Sequence, residues 1–214
     1  KAIGEPLGAK WNTLRRRASA WRILFRISLP SYENICRKVV TNMRLSKEQE
    51  KIWELVQADL ANEPVASIDH VERMTTWCQK FSPSAGADMD ILTTGALLHD
   101  VGVVIDRKKH YMVGRERATE IMKEVGFPEE KIPAVLHVLE AHSRYGGPEP
   151  NTVEAKVGQD ADALEYIGAI GILRAVVRGL SDGSFDGKIS SFPAYLRAIL
   201  AKVEGTFHTA QAEK

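Results

Sequence analysis

A histidine and an aspartate, His99 and Asp100, stand side by side at the end of an apolar segment, in the motif LLHDVG. A folded protein seldom buries such a pair unless the two side chains are paired, bind a metal ion or face a cleft. Side chains of the same two types occur at His70 in SIDHVERM and at Asp160 and Asp162 in QDAD. Imidazole and carboxylate groups together suit a divalent ion such as Mn, Fe, Co, Ni or Zn, or Mg where carboxylates and water dominate. These residues are therefore candidates for a metal site.

The elements that must position these residues are predicted to be helices. From Ser46 onward apolar residues recur at helical spacing, and no segment alternates as a strand would. The fold class that follows is all-α, a helical bundle in which ligands from several helices converge on the interior. Ser67 and Asp90 are predicted to cap the second and third helices, and Gly126 is predicted to end the fourth. The predicted helices begin near Ser46, Ser67, Asp90, Val113, Pro128 and Val153, the sixth of them continuing to about Leu180, and a last helix covers about residues 193–203.

Length and composition describe an ordinary globular chain. Its 214 residues are enough for one well-packed domain with an appendage, and 44% of them are hydrophobic and 27% charged. The two cysteines, Cys36 and Cys78, offer neither a disulfide framework nor a CxxC metal site, which favours a cytoplasmic protein. No apolar stretch approaches the length that a membrane span needs, so we expect no transmembrane segment.

Residues 1–42 differ from the rest of the chain in charge. They carry nine Lys and Arg residues against two glutamates, a net charge of +7, so the total of +1 leaves −6 for residues 43–214. An apolar stripe at helical spacing runs between the arginines, from Trp11 to Phe25. We predict a basic amphipathic leader that lies outside the fold and a domain that begins at Met43. Organelle targeting or membrane contact by the leader, and a helix packed on the domain, remain as alternatives.

Three stretches of the domain together resemble the HD-domain metal-dependent phosphohydrolase superfamily. They are SIDHVERM, GALLHDVG and VGQDADALEYIGAIGILRA, in the same order as the family's ligand stretches, and the resemblance extends from about Leu45 to Ala210. Within the superfamily the chain is similar to the small stand-alone HD-domain hydrolases. The resemblance implies an HD-domain helical bundle and a metal ion held by His70, His99, Asp100 and Asp162. Asp162 is favoured over Asp160 because the family's ligand sits in an Ala-Asp-x-Leu pattern, and Asp160 would then support the site or position a water molecule.

Two further histidines are candidates for a second metal ion. His110, with Gly114 four residues later, resembles the extra ligand stretch of bimetallic HD proteins. His142 shares the inward face of its helix with Val135 and Leu139. It is therefore either a second-metal or phosphate contact or an interior histidine that is hydrogen-bonded to a neighbour. The GYP signature of the HD-GYP cyclic-dinucleotide phosphodiesterases is absent, because SRYGGPEP follows His142, and this disfavours that activity.

A metal ion in such a site activates a water molecule for attack on phosphorus, and the phosphate needs cations around it. The predicted substrate-binding residues are Arg73, Arg144, Arg115 and His142, whereas Lys108, Lys109 and Arg117 are expected to be solvated surface charges. Beside Asp100, the predicted catalytic residues are carboxylates that could orient the water: Glu72, Asp106 and Asp160.

The predicted function is metal-dependent hydrolysis of a phosphate ester or anhydride bond in a nucleotide or a similar small phosphorylated metabolite. A non-catalytic HD domain that senses a nucleotide is the first alternative. An HD-fold di-iron oxygenase is the second, and it would need His110 and His142 as ligands of a second iron. No nucleic-acid-binding module is recognised, and the oligomeric state is left open, a homo-oligomer included.

Overall fold

The computed structural model of the protein describes residues 43–144 and 146–213. In these two ranges it contains eight α-helices and no β-strand, which confirms the predicted all-α class. A short 3₁₀ turn over Glu129–Lys131 precedes the fifth helix. The helices are α1 (Lys47–Asp59), α2 (Ile68–Ala85), α3 (Met89–Leu98), α4 (His110–Val125), α5 (Ile132–Ala141), α6 (Val153–Leu164), α7 (Gly168–Asp182) and α8 (Phe192–Leu200).

Several helix ends lie where the sequence places them. Ser46 begins α1 with a capping box, because its hydroxyl accepts from the Gln49 amide and the Gln49 side chain accepts from the Ser46 amide. Ser67 is the N-terminal cap residue of α2, in an extended conformation, although its side chain makes no capping hydrogen bond. Gly126 ends α4 in the left-handed conformation, with φ 76°.

Other predicted boundaries are wrong. The cap of α3 is Asp88 rather than Asp90, because the Asp88 carboxylate accepts from the amides of Asp90 and Ile91 at 2.9 and 3.1 Å. Helix α4 begins at His110, three residues before the predicted start. The long helix predicted from position 153 to 180 is two helices, α6 and α7. Gly168, at the junction, has φ 68°, and this left-handed conformation interrupts the helical path.

Helix α3 lies at the centre of the bundle. It packs against α1, α2, α5 and α6. Its side chains Leu92, Leu97 and Leu98 are fully buried, and each such burial contributes about 1.5–3 kcal/mol to folding. The apolar run before the HD pair therefore anchors the end of α3, from which His99 and Asp100 follow directly.

Helices α7 and α8 pack on each other through aromatic side chains. The Tyr195 hydroxyl of α8 donates to the Ala175 carbonyl of α7 at 2.9 Å, and the Tyr195 ring stacks on Phe185. Gly179 permits this contact, because a Cβ there would lie 2.5 Å from Phe185 Cβ and 2.7 Å from Tyr195 Cζ. The two helices thus meet at close range.

In the described ranges, none of the helices has the length and apolar character of a membrane span. The predicted leader, residues 1–42, lies outside the described residues, so its separation from the domain stays a prediction.

Candidate metal centre

Four imidazole rings meet at the ends of four helices. His70 lies in the first turn of α2, and His110 begins α4. His99 and His142 directly follow α3 and α5. The Nε2 atoms of His70 and His99 are 3.1 Å apart, and those of His110 and His142 are 3.0 Å apart. The structure thus brings together both predicted pairs of histidines.

The backbone fixes the orientation of three of these rings. Each ring presents Nδ1 to the carbonyl oxygen three residues earlier in the chain: His99 to Ala96 at 2.7 Å, His110 to Arg107 at 2.8 Å, and His142 to Leu139. Because a carbonyl oxygen only accepts, Nδ1 carries the proton in the neutral ring and Nε2 keeps a lone pair for a metal ion. The local fold therefore selects the tautomer that metal binding needs.

The fourth ring, that of His70, is held by a carboxylate instead. Its Nδ1 lies 3.4 Å from Oε2 of Glu165, a buried side chain that sequence reasoning missed. Arg73, predicted to bind phosphate, instead donates to the same oxygen from Nε and Nη2 at 2.9 and 2.8 Å. Although burial opposes ionisation, His70 and Arg73 lower the pKa of Glu165. The signal that could have found Glu165 was its place three residues after Asp162, nearly one helical turn along.

Asp100 lies between the two pairs of histidines. Its Oδ2 atom is 3.1 Å from Nε2 of His99 and 3.6 Å from Nε2 of His70. Its Oδ1 atom is 3.5 Å from Nε2 of His110 and 3.6 Å from Nε2 of His142. One carboxylate oxygen therefore faces each pair, as a carboxylate shared between two ions would require.

Asp162 joins the first pair, with Oδ1 at 3.3 Å from Nε2 of His70. Ligand atoms bound at about 2.1 Å to one divalent ion are separated from each other by about 3.0–3.4 Å, which is close to the spacing of these donor atoms. Among the described residues, two groups have ligand atoms near enough to share an ion: His70, His99 and Asp162, and His99, Asp100 and His142. The side chains present thus fit a divalent metal ion.

Both carboxylates of the centre stay ionised in spite of burial. Burial opposes the charge of Asp100, but His99 and His142 hold its pKa well below the usual range. For Asp162, too, burial works against ionisation, and His70 nevertheless lowers the pKa. Burial would lower the pKa of His99, yet the neighbouring Asp100 raises it. The centre therefore favours positive charge, which a metal ion supplies in place of protons.

The turn after the HD pair positions His110. Gly102 packs against the start of α4, where a Cβ would lie 2.7 Å from the Gly114 amide nitrogen and closer still to the His110 carbonyl oxygen. A residue with a side chain could not make this approach without moving the backbone. The glycine of LLHDVG therefore brings the second histidine pair within reach of Asp100.

Asp160 and Arg144 lie at another place. Asp160 is fully buried, and its carboxylate accepts from the amides of His208 and Thr209 and from the Thr209 hydroxyl. Arg144 donates to this carboxylate at 3.3 Å and to the Thr206 carbonyl at 2.8 Å. These contacts anchor the C-terminal segment. They do not support the predicted catalytic role of Asp160 or the predicted phosphate-binding role of Arg144.

Three other predicted residues are not among the described residues that line the cleft over the centre. Asp106 accepts from the backbone amides two and three residues later, which shapes the turn before α4. Arg115 is exposed and pairs with Glu140 at 2.6 Å. Glu72 is buried in α2, where burial raises its pKa to about 7, and its Oε1 has no hydrogen-bond partner among the described residues. These contacts do not support the predicted roles in orienting water or binding phosphate.

Different arginines line the cleft: Arg107, Arg174 and Arg178. Arg107 is held by Glu63, whose two carboxylate oxygens lie 2.6 and 2.7 Å from its Nη2. Arg174 and Arg178 are four residues apart on α7 and so share one face of that helix. Sequence reasoning missed them because it looked for cations near the ligands in the chain, whereas α7 reaches the centre only through tertiary packing.

Comparison with known proteins places the chain in a family. A sequence model described as HD domain matches residues 67–167, the range that contains all six metal-ligand candidates. The chain is 34% identical over 141 residues to the uncharacterised protein YpgQ of Bacillus subtilis, a match that covers 62% of this chain and 67% of the relative. The chain belongs to the HD-domain superfamily, and the predicted resemblance to its metal-dependent phosphohydrolases is confirmed.

Solved structures share the fold. The crystal structure of Bacillus subtilis YpgQ in complex with ADP aligns with a TM-score of 0.60 at 25% identity, over 77% of this chain and 85% of that chain. An HD-superfamily hydrolase from Bacillus thuringiensis aligns with a TM-score of 0.59 at 26% identity, over 78% and 85%. These similarities support hydrolase activity.

A shorter similarity connects the chain with ribonuclease Y of Roseiflexus sp., at 37% identity over 80 residues. It covers 36% of this chain but only 13% of that much longer relative. So short a match says nothing about the rest of the ribonuclease.

Proposed function

We propose that the protein hydrolyses a phosphate ester or anhydride bond in a nucleotide or a similar small phosphorylated metabolite. The observation that carries the proposal is the juxtaposition of two features. The histidine–aspartate centre opens onto a cleft, and the described residues that line this cleft include Arg107, Arg174 and Arg178. The ADP in the structure of YpgQ supports a nucleotide as the ligand class.

His70, His99, Asp100 and Asp162 would hold the metal ion, and His110 and His142 would hold a second one with the other oxygen of Asp100. A bound divalent ion lowers the pKa of a coordinated water and polarises the phosphoryl group. Among all six residues four are histidines and two are aspartates, which favours a first-row transition ion over Mg.

The arginines would bind and orient the phosphate. A guanidinium group donates two parallel N–H bonds to phosphate oxygens and keeps its charge at every relevant pH. In the hydrolysis a bond forms between the water oxygen and phosphorus, and the bond from phosphorus to the leaving oxygen breaks. Negative charge grows on that oxygen, and nearby guanidinium groups stabilise it.

The test is a hydrolysis panel of nucleoside mono-, di- and triphosphates with Mn, Co, Ni or Mg, combined with metal analysis. We expect release of phosphate or pyrophosphate by the wild-type protein, and loss of both metal and activity in His99→Ala. His137→Ala is the matched control, because this histidine contacts the Asn151 amide rather than the centre. Full metal content in His99→Ala, or a metal-loaded protein that hydrolyses no member of the panel, would contradict the proposal.

Two other functions predict different results in the same experiment. A nucleotide sensor would be stabilised against heat by a nucleotide without turning it over. A di-iron oxygenase has one feature in its favour, because His110 and His142 face the same aspartate as the first histidine pair. It would consume oxygen in the presence of iron and release no phosphate.

A further inference from the structure

A second cavity, of about 340 Å³, adjoins the cleft over the metal centre. Four residues line both spaces: Val65, Tyr166, Arg174 and Arg178. The cavity is therefore adjacent to the cleft, and these four shared side chains lie at the boundary between the two spaces. Its volume is at the lower end of the range for small-molecule sites.

The boundary between the two compartments is cationic and well supported. Nη1 of Arg174 donates to the Glu165 carbonyl at 3.3 Å, and its guanidinium carbon lies 5.8 Å from the centre of the Tyr166 ring. Nη1 of Arg178 donates to the Tyr166 hydroxyl at 3.2 Å. Each guanidinium group also lies 3.7 Å from a carboxylate oxygen, of Glu165 for Arg174 and of Asp182 for Arg178. Both groups line the passage between cavity and centre, where an anionic chain would lie.

The far wall of the cavity is aromatic and aliphatic. Tyr195, Ala198 and Ile199 of α8 line it. The Tyr195 ring is fixed in place, because it stacks on Phe185 at a centroid distance of 4.9 Å and its hydroxyl donates to the Ala175 carbonyl. A rigid aromatic ring of this kind binds a flat ring system with little loss of conformational entropy.

Lys202 also lines the cavity, and so do two groups that accept hydrogen bonds, the Asp182 carboxylate and the Ser184 hydroxyl. They can accept from hydroxyl or amino groups of a ligand. The cavity matches the parts of a nucleoside phosphate: the apolar wall suits the base, the polar groups suit the sugar hydroxyls, and the arginines toward the metal centre suit the phosphates. An inorganic polyphosphate would leave the aromatic wall unused.

We propose that this cavity binds the nucleoside part of the substrate, with the phosphates passing Arg174 and Arg178 to reach the metal centre; this rests on the proposed function. The cavity then selects nucleoside phosphates over inorganic phosphates of similar charge. Stacking of one base on an aromatic side chain makes the difference in affinity about tenfold or more.

The experiment compares two ligands that resist cleavage between their phosphorus atoms: adenosine 5′-(α,β-methylene)diphosphate and methylenediphosphonate. Binding to the Mn-loaded protein is measured by calorimetry, and metal content is measured on each sample. Ala198→Trp places an indole ring at the far wall, and Ala194→Trp makes the same change at an exposed position of α8 outside the cavity lining.

We expect the wild-type protein and Ala194→Trp to bind the nucleotide at least about tenfold more tightly than methylenediphosphonate. Ala198→Trp should abolish this difference by weakening nucleotide binding while leaving methylenediphosphonate binding unchanged. Equal binding of the two ligands by the wild-type protein, or binding of neither, would overturn the cavity proposal. Phosphate release in the hydrolysis panel together with equal binding would overturn it while leaving the phosphohydrolase standing. Tighter binding of the nucleotide without turnover in the hydrolysis panel would overturn the phosphohydrolase and leave the cavity proposal standing.

Discussion

Each histidine of the centre has one ring nitrogen engaged by the protein before any ion binds. For three of them the partner is a backbone carbonyl, which no side-chain substitution removes. His70 alone depends on a side chain, Glu165, which Arg73 holds in turn. Because such partners orient a ligand and raise its basicity, the metal affinity of the centre should be sensitive to Glu165.

Glu165→Ala should therefore weaken metal binding by about 10–100-fold. Glu165→Gln should weaken it less, because the amide oxygen still accepts the Nδ1 proton although the negative charge is lost. The measurement is the metal Kd by competition with a chelator. Glu140→Ala is the control, since Glu140 pairs with the exposed Arg115. Equal affinities in all four proteins would show that packing alone holds His70.

Asp162 and Asp160 form a second matched pair, two residues apart on α6. Asp162→Asn removes an ionised ligand, so metal content after dialysis should fall by at least about tenfold. Asp160→Asn leaves the centre intact but disturbs the buried bonds to the C-terminal segment. Its metal content should stay near wild type while the protein loses about 1–3 kcal/mol of stability, or roughly 2–12 °C in Tm. The reverse pattern would make Asp160 the ligand.

The metal-ligand candidates could be predicted from sequence because each stands in a short motif whose helix end sets its position. The HD pair follows a buried apolar run, and His110 and Gly114 share one turn of α4. Two of the arginines that line the cleft could not be found in this way, because Arg174 and Arg178 arrive from α7. Arg73 and Arg144, which are nearer to the candidate ligands in the chain, pair with Glu165 and Asp160. Nearness in sequence does not decide which buried carboxylate an arginine will meet.

At the scale of elements, the junction of the turn after α3 with the start of α4 decides whether the two histidine pairs meet. Gly102→Ala would place a methyl group against the His110 carbonyl and the Gly114 amide. We expect a loss of about 1–3 kcal/mol in stability, because the backbone must shift. The bound metal per chain should also fall, since His110 moves with α4.

The control for this change is Val104→Ala, at a position in the same turn that is 54% exposed, where the effect should stay within about 0.5 kcal/mol. Thermal unfolding and metal analysis of both variants decide the matter. An unchanged Tm and unchanged metal content in Gly102→Ala would mean that this close approach does not position His110.

The sequence predicts correctly that this region is helical, but it does not predict that the long helix is divided in two. Apolar periodicity runs through the residues from Val153 to Leu180 without a visible gap, yet the chain turns at Gly168. The turn directs α7 toward the cleft, so tertiary packing overrides the local helical pattern. The break that the sequence concealed is the feature that supplies the cleft with two of its arginines.

At the scale of the whole molecule, the described helices contribute different parts of the candidate site. The candidate ligands lie on α2, α4 and α6 and in the residues that directly follow α3 and α5, around the buried α3. Helices α7 and α8 supply cations and most of the lining of the adjoining cavity. Asp160 and Arg144 connect the ligand-bearing α6 to the C-terminal segment. These contacts fix the C-terminal segment to α6.

The last prediction concerns residues 1–42. We predict that a chain beginning at Met43 unfolds at the same temperature and hydrolyses its substrate at the same rate as the full chain. A segment with a net charge of +7 gains little by packing on a domain unless its apolar stripe enters a groove. Burial of Trp11, Trp21 and Phe25 would contribute several kcal/mol at about 25 cal/mol per Å². Deletion would then lower Tm by roughly 2–4 °C per kcal/mol. A full chain with these three aromatic residues changed to serine separates the loss of the apolar stripe from the loss of the whole segment. A fall in Tm in both altered proteins would place the leader within the fold and contradict the predicted boundary.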